Sequence, residues 1–139
     1  MKSNILNKSI NELEGTKSTS QPNFYSYPVQ KSNELLNKKL LLFEPKDLRL
    51  MIGQNIGLKY LIPLAINVLK KDPLIDSEFY NGDLLLKVLS VDKNFWYKFP
   101  NLKEKIISLL KKNEIDYSIL DDDTKNEIIS AYKKLINNH

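Results

Sequence analysis

The chain has no cysteine, one tryptophan, one arginine, four glycines and a single histidine, which is its last residue. Without cysteine there is neither a disulfide nor a thiolate metal site. His139 is a poor candidate for catalysis or metal binding, because terminal residues are rarely held in place. No nucleophile elbow, zinc-binding helix motif or EF-hand loop occurs. The run Asp121–Asp123 lacks the alternating oxygen ligands and the glycine of a calcium loop. A carboxylate pair could still be catalytic, but nothing in the spacing favours one. The expectation is a protein that is not an enzyme and uses no cofactor or metal. The opening residues MKSNILNKSINELEG lack the apolar stretch of a signal peptide, so the expected location is the bacterial cytoplasm.

Long hydrophobic runs are also missing. The most apolar segment, LRLMIGQNIGLKYLIPLAINVL over 48–69, is broken by Arg49 and Lys59. A membrane span needs about 20 largely uncharged residues, so this is not one. Nor is it a phosphate loop. No strand precedes Gly53, and the pattern is neither GxGxxG nor GxxxxGK[ST]. A helical core explains the most residues. Two glycines four apart lie on one face of a helix and let a neighbour come close. Pro63 removes the N–H that would bond the Lys59 carbonyl, which predicts a kink or a restart around residues 55–60.

What is present is ordinary globular material: 42% hydrophobic and 27% charged residues over 139 positions. A single domain of this length buries roughly 68% of its unfolded surface. Net charge is +4, but it is unevenly spread. Residues 98–112 carry Lys98, Lys103, Lys105, Lys111 and Lys112 against Glu104, whereas 114–127 carry Glu114, Asp116, Asp121, Asp122, Asp123 and Glu127 against Lys125. Local patches, rather than total charge, are therefore informative about partners.

Along the chain, Ser9 and Glu12 form a capping-box pattern and Gly15 is placed to end that helix. Residues 16–32 are polar, contain two prolines and read as an extended segment. Phe24, Tyr25 and Tyr27 either anchor this arm to the core or form an exposed aromatic strip. From Ser32, a candidate cap, apolar spacing turns helical. Pro45 suits a first helical position. Leu48, Met51, Ile52 and Ile56, then Leu58, Leu61, Ile62, Ala65 and Leu69, recur at helical intervals. Lys70, Lys71 and Pro73 mark an end. Asn81-Gly82 signals a turn, with Asn81 or Asp83 as the next cap. Asp92 precedes Phe95, Trp96 and Phe99. Pro100 starts a helix with Leu102, Ile106, Leu109 and Leu110 inward, and Thr124 with Glu127 reads as a second capping box before Ile128, Tyr132, Leu135 and Ile136. No segment alternates like a strand. These patterns predict an all-α fold: a compact single domain of six to eight helices, some short, with an extended N-terminal arm. Residues 1–31 form the short helix and arm, and 32–139 the helical core.

The stretch from Asp47, Leu48 and Arg49 through Ile52, Gly53, Gln54, Ile56, Gly57, Leu58, Tyr60, Leu61, Ile62, Pro63, Leu64 and Ala65 resembles the immunity proteins of bacterial contact-dependent growth inhibition (CDI) systems. So do Phe79, Tyr80, Gly82, Asp83, Leu84 and Leu85, the pair Phe95-Trp96, and the opening Ser9 to Gly15. The chain departs from the family pattern at Glu44, where threonine or serine is common, and in the arm, which lacks a tryptophan. The resemblance implies a non-enzymatic inhibitor in the cytoplasm. It further implies, as partner, the C-terminal toxin domain of a cognate CDI effector, a nuclease domain bound one-to-one. Asp47, Leu48, Arg49, Gly53, Gln54, Gly57, Tyr60, Pro63, Tyr80, Gly82, Asp83 and Trp96 are expected to be mainly structural.

The charge pattern offers a contact surface. Carboxylates can cover a basic nucleic-acid-binding cleft and speed encounter with it. Glu114, Asp116, Asp121, Asp122, Asp123 and Glu127 are the candidate toxin-binding residues; their plainer role is helix capping and a solvated face. The lysines at 98–112 read as solvated surface, since a nucleic-acid site normally clusters Arg and Lys with aromatics or a groove-reading helix. No direct contact with nucleic acid or membrane is expected. The alternative function is a helical nucleic-acid-binding or regulatory module.

Overall fold

The computed structural model describes residues 3–15, 27–112 and 114–137. Among these residues the fold is all-α. The helices are α1 (Ser3–Leu6), α2 (Ile10–Glu14), α3 (Tyr27–Leu36), α4 (Pro45–Gly53), α5 (Leu58–Lys71), α6 (Asp83–Leu89), α7 (Lys93–Lys98), α8 (Pro100–Lys112) and α9 (Asp122–Asn137). Single 3₁₀ turns occupy Leu40–Leu42 and Tyr117–Ile119.

Several boundaries follow from local chemistry. The Ser9 hydroxyl accepts from the Glu12 N–H at 3.1 Å, and the Glu12 carboxylate accepts from the Ser9 N–H at 3.1 Å. This reciprocal pair satisfies two of the donors that every helix start leaves open. Gly15 closes the same helix in the left-handed region at φ 69°. Pro45 and Pro100 occupy first helical positions, where a missing N–H is harmless. The Asp92 carboxylate caps α7 by accepting from the Asn94 N–H at 2.8 Å.

The extended reading of the arm does not reach residue 32. The chain is helical from Tyr27, with Pro28 near the start, where helices tolerate it. Ser32 therefore sits inside α3 and is not a cap. It is buried, and its hydroxyl donates to Gln54 Oε1 at 3.1 Å. The rest of the expected arm, including Phe24 and Tyr25, lies outside the described residues, as do the side chain of Tyr27 and all of His139.

Around Gly53 and Gly57 the helix does restart, though not as one glycine face. Gly53 is the last residue of α4 and Gly57 precedes α5. Between them the Ile56 N–H bonds the Met51 carbonyl and the Asn55 N–H bonds the Ile52 carbonyl, both at 3.0 Å. That is a Schellman end, which needs a left-handed residue at its centre. Asn55 supplies it at φ 59°. Gly57 is left-handed too, at φ 66°, and a Cβ there would stand 2.6 Å from Ile10 Cδ1. The close approach is thus to α2. Pro63 lies inside α5, which nevertheless runs on to Lys71.

Helix α5 carries a deeply buried stripe: Leu61, Ile62, Ala65 and Leu69 are 0% exposed. It packs on α4, α6 and α8, while α6 lies against both α4 and α9. Met51, Leu84, Leu85, Val88 and Ile106 complete the centre. Phe95 and Trp96 are core residues in edge-to-face contact at 5.1 Å. The Trp96 indole N–H donates to the Val91 carbonyl at 3.1 Å, so its burial leaves no polar atom unpaired.

Candidate functional site

The acidic segment follows α8, whose last turn carries Lys111 and Lys112. Asp116 starts the 3₁₀ turn, accepting from the N–H and hydroxyl of Ser118. Those bonds from Ser118 hold its carboxyl below the usual carboxylate range. Asp121 accepts from the Thr124 N–H at 2.7 Å, and its own carbonyl receives the Lys125 N–H. Asp121 is therefore the cap of α9. Thr124, expected to cap, is a buried residue inside the first turn. The bonds from Thr124 lower the Asp121 carboxyl as well. Asp122 and Asp123 occupy the first turn of α9, where the helix dipole favours negative charge. All six candidate carboxylates are exposed. Two of them, Asp116 and Asp121, also have local structural roles. At the end of the turn Ile119 is 56% exposed, whereas Tyr117 is half-buried, and burial followed by the charge of neighbouring Tyr132 pushes its hydroxyl up.

A second element joins this face. Residues 74–82 form a compact loop closed by Gly82, whose N–H bonds the carbonyls of Leu74 at 3.0 Å and Ile75 at 3.2 Å. Asp83 was a candidate cap, but Gly82 holds that position at φ 86°. The Asp83 carboxylate turns back into the loop instead. It accepts from Ser77 N–H at 2.8 Å, Ser77 hydroxyl at 2.7 Å, Phe79 N–H at 3.0 Å and Glu78 N–H at 3.2 Å. Asp83 is 0% exposed. Burial acts to raise its pKa, but the bonds from Phe79, Ser77 and Glu78 together outweigh it and leave it lowered. Arg49 Nε stands 3.4 Å from Asp83 Oδ2 without hydrogen-bond geometry, so charge rather than a directed bond holds the pair. The Arg49 guanidinium lies 4.5 Å from the centre of the Phe79 ring.

The loop and the acidic segment meet at Gly82. A Cβ there would stand 3.0 Å from Ile128 Cδ1 and 3.4 Å from Leu120 Cδ2. Residues 72–83 hold Asp72, Asp76, Glu78 and Asp83, residues 113–124 hold Glu114, Asp116, Asp121, Asp122 and Asp123, and neither stretch contains a lysine or arginine. The fold thus brings two lysine-free, carboxylate-bearing segments together on a chain of net charge +4. The closeness of the loop to Leu120 and Ile128 comes from the fold and is not written in the local sequence.

The other motif residues take the following positions. Asp47 is buried, and its Oδ2 accepts from Lys38 Nζ at 2.8 Å and from the Glu44 N–H at 3.0 Å, tying the preceding turn to the start of α4. Leu48 is core; Gln54 receives Ser32. The half-buried Tyr60 ring lies 5.0 Å from Lys59 Nζ, and the Tyr80 carbonyl receives the Asp83 N–H at 3.2 Å. Of the lysines at 98–112, Lys98, Lys105, Lys111 and Lys112 are exposed, whereas Lys103 is half-buried. An apolar groove of about 850 Å³ runs between α6, α7, α8 and α9, floored by Leu89, Trp96 and Leu135 and edged by Glu127, Lys103 and Lys134. Among the described residues no group of His, Asp and Glu could hold a metal ion, and no helix is long and apolar enough to cross a membrane.

No curated protein and no solved structure matches the chain significantly. The sequence model for CDI immunity proteins, however, matches residues 12–106. That span runs from α2 into α8 and includes the buried α4–α5 centre and the Asp83-clamped loop. On this match over more than half its length, the chain belongs to the CDI immunity proteins.

Proposed function

We propose that this immunity protein neutralises its toxin by laying the acidic face over a basic, nucleic-acid-binding cleft. The toxin is then a nuclease domain at the C-terminal end of a cognate CDI effector, bound one-to-one in the cytoplasm. The protein acts by occupancy and not by catalysis. The observation that carries the reading is the exposure of Glu114, Asp116, Asp121, Asp122, Asp123 and Glu127 on one stretch of a chain with net charge +4. Carboxylates so arranged attract a positively charged surface, accelerate association and disfavour wrong partners.

The test reverses charge without removing the helix cap. Asp122, Asp123 and Glu127 are changed to lysine while Asp121 is kept. Affinity for the purified toxin domain should fall at least about tenfold, mainly in the association rate, and the loss should shrink as salt is raised. An unchanged affinity in a folded variant places the interface elsewhere. A helical nucleic-acid-binding module would instead show salt-dependent binding to RNA or DNA in a gel shift and no stable complex with a toxin.

A further inference from the structure

Few large apolar side chains stay in solvent among the described residues, and Phe79 is the most exposed of them at 63%. It is also held on two sides. Its N–H is bound by the buried Asp83 carboxylate, which fixes Ser77 and Glu78 at the same time. Its ring lies against Arg49, whose charge is balanced by that same carboxylate. The fold thus uses a buried ion to keep an aromatic ring in water. A side chain held in this way loses little conformational entropy on association, and aromatic anchors carry much of the energy of protein interfaces. Exposed Asp76 and Glu78 flank it, and the base of its loop abuts Leu120 and Ile128 beside the acidic segment.

The geometry points to Phe79 as the apolar anchor of the toxin interface, inserting into an apolar pocket on the toxin that is rimmed by Lys or Arg side chains facing Asp76 and Glu78. This rests on the toxin-binding reading above and adds the contact that sets complex lifetime. Carboxylates bring the partners together, and the ring holds them.

The experiment measures association and dissociation of the full chain with the purified toxin domain at two salt concentrations. Phe79→Ala should weaken binding about thirtyfold, as loss of a hot spot does, through faster dissociation and with the salt dependence unchanged. Leu41→Ala is the control: Leu41 is 60% exposed, on the 3₁₀ turn that packs on α1, and should change affinity less than about twofold. Circular dichroism of Phe79→Ala should match the wild type. If it melts earlier, Phe79→Leu takes its place and should give a smaller loss in the same dissociation step. Equal effects of Phe79→Ala and Leu41→Ala would overturn the assignment. So would a wild-type self-association that Phe79→Ala abolishes while toxin affinity is kept, since the ring would then serve a second copy of this chain. If the wild type binds no toxin, the toxin-binding reading itself falls, a result separate from an unaltered Phe79→Ala affinity.

Discussion

Replacing Asp83 by asparagine keeps the shape of the side chain and removes its charge. The carboxylate takes four hydrogen bonds, two on each oxygen. An amide keeps one acceptor oxygen. If that oxygen stays with Ser77, the amide NH₂ faces the N–H groups of Glu78 and Phe79, and both of those bonds are lost. Bonds to a charged group contribute about 1.5–3 kcal/mol each, and Arg49 also loses its counter-ion. Partial relaxation of the loop offsets some of this, so Asp83→Asn should destabilise by about 3 kcal/mol. In a chain of this size that lowers the melting temperature by about 10 °C. The pH dependence gives a second reading. The folded pKa of Asp83 lies below its unfolded value near 3.9. Between the two, the unfolded state binds more protons, so the contribution is full above the unfolded pKa and is lost as pH falls through the folded one. Urea titrations at neutral and acidic pH should therefore show a gap between wild type and variant that narrows in acid. A gap under about 0.5 kcal/mol at pH 7, or one that persists unchanged below the folded pKa, would refute the account of Asp83 as the ion that builds the loop.

Two further outcomes follow from the scaffold. Gly57→Ala forces a Cβ to within 2.6 Å of Ile10 Cδ1 at a residue with φ 66°, and should cost about 1–3 kcal/mol in a denaturant titration. Lys38→Met strips the buried Asp47 carboxylate of its 2.8 Å partner and should cost about 1–3 kcal/mol at neutral pH; the accompanying Asp47→Asn should recover part of the loss, because no uncompensated charge then remains.

Much of the helical framework was legible because its signals are local. The Ser9–Glu12 box, Gly15, Pro45, Asp92 and Pro100 act within four residues of themselves, and each works as its residue type suggests. The inward stripes of α5 and α8 were readable because a 3.6-residue period states which face must leave water. Where the reading slipped, two local signals competed. Ser32 resembles a cap, yet α3 continues through it. Thr124 with Glu127 resembles a capping box, yet Asp121 stands three residues earlier and takes the Thr124 N–H first. Gly53 and Gly57 stand at a helical spacing, yet the left-handed residue that ends α4 is Asn55.

The sequence by itself determined the all-α class, most helix starts, the apolar identity of the 48–69 segment and the family, through motifs that span α4, α5 and the start of α6. Those follow from residue type and spacing alone. Only the tertiary structure decided that Asp83 serves the loop before it, that its charge faces Arg49 and the Phe79 N–H, and that Gly82 at the base of that loop packs against Leu120 and Ile128. Each depends on separate elements being brought within a few ångströms, and here it is the packing of α6 between α4 and α9 that does so. A one-dimensional pattern records which residues avoid water, but not which of the remaining ones will meet.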